Sequence, residues 1–141
     1  MNTKSSTPPS PERERLSALR HALLDLHKTL VDSERVSYAK TVGHIQSPNH
    51  FLQLLTRDPW FAWLQPFSQL IVAMDEALEE EKPLARAGVE ALTKQTKLLL
   101  VASEIGEGFS GHYFVALQRD PDVVLAHAEV SKLINPRKPS R

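Results

Sequence analysis

Three glycines late in the chain, Gly106, Gly108 and Gly111, have the G-x-G-x-x-G spacing of a loop that binds the phosphates of a dinucleotide. Such a loop follows a buried strand in a βαβ unit. Here the apolar residues keep a helical period over 85–100, and only 30 residues follow Gly111, too few for the rest of a parallel sheet. We therefore assign the glycines to a turn in which all three permit a positive φ, with Ser110 capping the next helix.

Two histidines, His50 and His112, each lie in the first turn of a short predicted helix, next to an aromatic residue. The partial positive charge at a helix N-terminus favours neutral imidazole, which suits proton transfer or axial ligation of a haem. The alternative is a histidine that caps or packs at a corner. The sequence has neither a His-Glu-x-x-His nor a Glu-x-x-His pattern, so we assign no metal and no cofactor.

Aromatic residues supply the other candidates for a ligand site. Trp60, Trp63 and Phe67 share one face of a predicted helix and suit the wall of a flat pocket that holds His50 or His112, with Tyr113 as a further candidate. Packing in a hydrophobic core explains the same stripe. A nucleophile elbow, G-x-S-x-G, does not occur, and we assign no catalytic residue.

Four apolar residues fall outside the core-facing stripes of their predicted helices. Phe61 and Val72 do so on the third helix, Leu98 and Val101 on the fourth. Apolar side chains away from the core predict a second contact surface, so we take these four as candidates for the interface of a homodimer or another protein complex.

The elements that must position these residues are helices. In the first helix, about residues 12–42, leucines recur at steps of three and four residues, which predicts one buried stripe with Arg13 and Arg20 facing water. A helix of this length predicts a kink or break near Asp32–Ser33. The stripe consists of Leu16, Leu19, Leu23, Leu26 and Leu30.

Two short helices end in the same pattern, Leu-x-Arg-Asp-Pro. At Asp58–Pro59 and at Asp120–Pro121, the aspartate is a predicted N-cap and the proline opens the following helix. The offset of 62 residues between these corners also pairs His50 with His112. An internal duplication and two independent corners of ordinary helix chemistry both explain this pattern.

Longer helices follow the corners. The third is predicted from Pro59 with a bend at Pro66, the fourth from about Pro83 to Ser103, and the last after Pro121. The fold class is therefore all-α, a single compact bundle of four longer and two short helices over residues 12–134. Residues 1–11 and the basic residues 135–141 are predicted to be disordered tails.

Composition narrows the classes of function. Lys+Arg and Asp+Glu both total 17, which argues against a nucleic-acid partner, and there is no cysteine. No apolar stretch reaches the roughly 20 residues of a membrane span, so we expect a cytoplasmic protein without membrane contact.

The leading hypothesis for the function is a non-catalytic bundle that works through a protein interface and self-associates. The alternative is a bundle that binds a small molecule or a cofactor, such as a haem, beside Trp60 and Trp63.

Overall fold

A computed structural model describes residues 10–80 and 82–135, and every regular element within these ranges is helical. The predicted all-α bundle of four longer and two short helices is confirmed. Residues 1–9 and 136–141, most of the two predicted tails, lie outside the described residues. The helices are α1 Pro11–Thr41, α2 Pro48–Arg57, a 3-10 helix Pro59–Leu64, α3 Gln65–Glu79, α4 Arg86–Leu99, α5 Phe109–Arg119 and α6 Pro121–Ile134.

Helix α1 is the centre of the bundle and contacts α3, α4, α5 and α6. All five leucines of its predicted stripe are buried. Ser10 and Pro11, which the sequence analysis assigned to the N-terminal tail, are the N-cap and the first residue of this helix, because Ser10 Oγ accepts the Arg13 N–H at 3.1 Å.

The predicted break at Asp32–Ser33 is absent, since α1 runs without interruption for 31 residues. The second half of α1 is held by tertiary contacts that no local pattern shows. Ser33 and Glu34 are buried against Arg119 at the end of α5, and the Tyr38 ring packs on Trp60 and Phe61. Packing of this kind stabilises a long helix more than its intrinsic propensity does.

Arg13 and Arg20 do not simply face water, as the sequence analysis expected. The Arg13 guanidinium donates to the carbonyl oxygens of Leu78 and Glu80 at the C-terminal end of α3, and Arg20 pairs with Asp75. The cation offsets the partial negative charge at that helix end, where the sequence itself places only acids.

The segment from Pro59 to Leu64 is a 3-10 helix, and the α-helix starts only at Gln65. Pro66 therefore lies in the first turn of α3, where its missing N–H breaks no hydrogen bond, and it causes no bend within a helix.

The interpretation of Phe61 as an interface residue is wrong, because this segment is a 3-10 helix and not an α-helix. In a 3-10 helix, residues three apart share a face. Phe61 and Leu64 accordingly both point into the core, and Phe61 is only 1% exposed, packed against Phe51 and Tyr38.

Helix α4 is shorter at both ends than predicted. It begins at Arg86, three residues after Pro83, because Ala85 has an extended conformation (ψ 140°) and Leu84 packs against the core. It ends at Leu99, and an irregular segment leads to α5.

The glycine-rich turn lies in this irregular segment, but the predicted roles of its residues need correction. Only Gly108 has a positive φ, of 65°. Gly111 is needed for a different reason, since a Cβ atom there would lie 2.2 Å from the Gly106 carbonyl oxygen. Ser110 does not cap α5, because it lies inside the helix and Gly108 occupies the N-cap position.

Candidate functional site

The α1–α6 groove is the largest apolar depression that we find in the described part of the chain, at about 1070 Å³. Its α1 side is built from small residues, Ser17, Ala18 and Ala22, because α1 turns its leucine stripe inward and leaves the short side chains outside. Its α6 side is built from Leu125 and Leu133, which are 66% and 37% exposed. None of these residues was a sequence-based candidate.

Charges of both signs surround the apolar floor of the groove. Asp25 and His21 lie on α1, where their closest side-chain atoms are 3.8 Å apart, and Glu129 and Lys132 form an ion pair of 3.0 Å on α6. Exposed pairs of this kind contribute little to folding, so their main effect is on what can dock over the leucines.

The three remaining interface candidates from the sequence are exposed. Val72 is 52% exposed on α3, Leu98 is 67% exposed at the end of α4, and Val101 is 50% exposed just beyond it. Ile105, in the same irregular segment, is 92% exposed. The off-stripe positions therefore carry uncovered apolar side chains at three of the four predicted sites.

A second candidate site, the Trp60 cavity, lies where α1, the 3-10 helix and α5 meet. Its volume is about 270 Å³. Trp60 and His112, two of the predicted pocket residues, both line it. The other lining residues are Glu34, Ser37, Pro59, Val115 and Arg119.

The chain was compared with protein-family models, curated proteins and solved structures. No family model, no curated protein and no solved structure matches it. A function for the chain therefore has to be inferred from the geometry of its sites.

Two further predicted pocket residues, Trp63 and Phe67, are buried in the core and do not line the cavity. The Trp63 ring stacks on the His112 imidazole, with ring centroids 5.2 Å apart and planes inclined by 13°. Phe67 is fully buried and meets the edge of His27. Trp63 therefore supports the His112 side of the cavity wall, whereas Phe67 packs within the core.

His50 is separate from this cavity. Its Nδ1 accepts the backbone N–H of Gln46 at 3.1 Å, which fixes the ring at the start of α2. Of the two candidate histidines, His112 therefore lines the cavity and His50 does not.

Tyr113 is fully buried, and its hydroxyl lies 2.6 Å from His127 Nδ1 on α6. Burial raises the pKa of Tyr113 and lowers the pKa of His127, because the charged form of each is poorly solvated there. The neutral pair links α5 to α6. Sequence reasoning found Tyr113 but missed His127, which no spacing rule connects to it.

Arg119 and Glu34 are two charged residues that line the Trp60 cavity and that the sequence did not suggest as site residues. Arg119 Nη2 lies 2.8 Å from a Glu34 carboxylate oxygen, and the same guanidinium donates to Ser33 Oγ at 2.8 and 3.1 Å. The repeated Leu-x-Arg-Asp-Pro pattern marks Arg119, but nothing local marks Glu34, which lies near the predicted break.

A polar cleft of about 550 Å³ lies beside Arg119, between α1 and the α5–α6 corner. Hydroxyl groups of Thr29, Ser33, Ser37 and Thr41 line it at intervals of four residues.

No three carboxylates or imidazoles converge on a possible metal position in residues 10–80 and 82–135. In the same residues, we find no helix that combines the length and the apolar character needed to cross a bilayer.

Proposed function

We propose that the protein is a non-catalytic helical bundle that acts through a protein interface, and that its partner is a second copy of this chain. The observation that carries the proposal is the α1–α6 groove, in which Leu125 is two-thirds exposed beside small residues of α1. When a partner covers a leucine in this position and removes it from water, the free energy of the complex decreases.

The shape of the groove suits a helix. Ala18 and Ala22 lie four residues apart on α1, so the backbone of an approaching helix can come close to them, and Leu125 and Leu133 lie two turns apart on α6. In a two-fold symmetric dimer, α6 of each copy would bring its exposed leucines into the groove of the other.

The charges around the groove favour a second copy over a strongly acidic or basic partner. A two-fold axis can place Lys132 of one copy near Asp25 or Glu129 of the other, and the reciprocal contact follows from the symmetry. The chain has a formal net charge of zero, so two copies do not repel each other at neutral pH.

Sedimentation velocity at micromolar concentrations tests the proposal with three matched leucine-to-lysine variants. Leu125→Lys, in the groove, should raise the dimer dissociation constant by tenfold or more. Leu98→Lys, at the sequence-derived surface, and Leu52→Lys, an exposed leucine on α2, should leave it unchanged.

A monomer at every concentration of the native chain would overturn the proposed self-association. If Leu98→Lys dissociates the dimer and Leu125→Lys does not, the interface lies at the end of α4, and the α1–α6 groove is excluded as the contact. Circular dichroism of each variant separates loss of assembly from loss of folding.

A further inference from the structure

The Trp60 cavity lies outside the α1–α6 groove and shares no lining residue with it. Its floor and sides come from three elements that are distant in sequence: Glu34 and Ser37 from α1, Trp60 from the 3-10 helix, and His112 and Arg119 from α5. Because each element is fixed by core contacts, the shape of the cavity is largely preformed, as small-molecule sites usually are.

Two flat groups at the cavity are held in fixed orientations. The Trp60 indole meets the Tyr38 ring edge-on, at 5.7 Å and 90°, and the His112 imidazole stacks on Trp63. The Arg119 guanidinium, a third flat group, is fixed by Ser33 and Glu34. Three planar groups around one small space favour a planar guest, which can stack on a ring or on a guanidinium.

The cavity lining includes hydrogen-bond donors that have no acceptor in the described residues. The Trp60 indole N–H is buried and has no acceptor within the described residues, and Arg119 Nη1 also donates to none of them. One carboxylate oxygen of Glu34, the acidic acceptor at the cavity, is bonded to Arg119. A guest with a hydrogen-bond acceptor would satisfy a donor that the protein leaves unpaired.

Charge and size narrow the class of guest further. The Glu34 carboxylate neutralises the Arg119 guanidinium, so the pair does not select for an anion. A cavity of 150 Å³ is enough for benzene, whereas pockets for drug-sized ligands start at about 300 Å³. At about 270 Å³, the Trp60 cavity suits a single substituted ring and is too small for a haem or a dinucleotide.

We infer that the Trp60 cavity is a binding site for a small, neutral, planar aromatic molecule that carries a carbonyl acceptor. The ring would lie among the indole, imidazole and guanidinium planes, and the carbonyl would accept from Arg119 Nη1. The inference does not depend on self-association.

Benzamide is a suitable probe, because it is one uncharged ring with a carbonyl group. The chain has two tryptophans, so the nitrogen–proton correlation spectrum of the labelled full chain has two indole resonances, which a Trp60→Phe variant assigns. Benzamide should shift the Trp60 resonance saturably. Cyclohexanecarboxamide, which has the same acceptor but is not planar, should bind at least tenfold more weakly.

Val115→Phe provides the test in the protein, since Val115 lies at the rim of the cavity and is half exposed, so a larger side chain there need not disturb the core. This variant should weaken benzamide binding by tenfold or more, whereas Val72→Phe, equally exposed on α3, should bind like the native chain. The inference is overturned by an unsaturable shift, by equal binding of the two amides, or by native binding in a folded Val115→Phe variant.

Discussion

Arg119 and Glu34 form an ion pair across 85 residues of sequence, with 2.8 Å between Nη2 and the carboxylate oxygen. The Glu34 side chain is 8% exposed and that of Arg119 is 32% exposed. The pair joins the second half of α1 to the corner between α5 and α6. At the equivalent corner, between α2 and the 3-10 helix, Arg57 is exposed and forms no ion pair with the described residues. The two corners therefore share their capping but differ in what the arginine does.

The first prediction concerns this difference. Arg119→Met should lower the free energy of unfolding by about 1–3 kcal/mol, because it leaves a buried carboxylate without its cation, although partial exposure of the arginine limits the loss. Arg57→Met should change it by less than about 0.5 kcal/mol. Urea unfolding followed by circular dichroism measures both. Equal losses in the two variants would contradict a special role for the Arg119–Glu34 pair.

The second prediction concerns the pH dependence of stability. Burial lowers the pKa of His27 and of His127 below the ordinary value of 6.5. As the pH falls below about 6.5, the unfolded chain binds protons at these positions that the folded chain does not, so the free energy of unfolding decreases. Well above pH 6.5 both histidines are neutral in both states and contribute no slope.

Urea unfolding at pH 7.5 and pH 5.5 measures this decrease. A double variant, His27→Gln with His127→Gln, should be less stable at pH 7.5, since it loses the contacts with Ser68 and Tyr113. It should nevertheless lose less stability than the native chain between the two pH values. The same loss in both proteins would show that other groups cause the pH dependence.

The third prediction concerns two glycines whose replacement by alanine should change the stability in opposite directions, because their surroundings differ. Gly111→Ala should destabilise the chain by about 1–3 kcal/mol, because its Cβ would overlap the Gly106 carbonyl. Gly88→Ala should stabilise it by about 0.5–1 kcal/mol, because Gly88 lies in α4 with open space around it. Thermal melting temperatures that shift in the same direction would disprove this contrast.

The fourth prediction tests the corrected position of Phe61. Phe61→Ala should cost about 3–5 kcal/mol of folding free energy, because the ring is buried between Phe51 and Tyr38. Val72→Ala, its partner in the sequence-based interface, should cost less than about 0.5 kcal/mol, since the side chain is half exposed. A small loss for Phe61→Ala would restore the surface interpretation.

Sequence patterns that span only a few residues determined most of the fold. The spacing of Leu16, Leu19 and Leu23 fixes the buried face of α1, because a helix repeats every 3.6 residues whatever surrounds it. The caps are equally local: Asp58 accepts the Trp60 N–H at 2.8 Å and Asp120 accepts the Asp122 N–H at 2.9 Å. These features involve residues only a few positions apart, so their chemistry can be read along the sequence.

Tertiary structure alone decided the sites. The 3-10 winding after Pro59 changes the angle between successive residues from about 100° to about 120°, which moves Phe61 into the core. Arg119 meets Glu34, Tyr113 meets His127, and α6 places Leu125 beside the small residues of α1. None of these contacts follows from spacing, because they depend on how whole helices pack, and that packing is set by the sum of many weak contacts across the bundle.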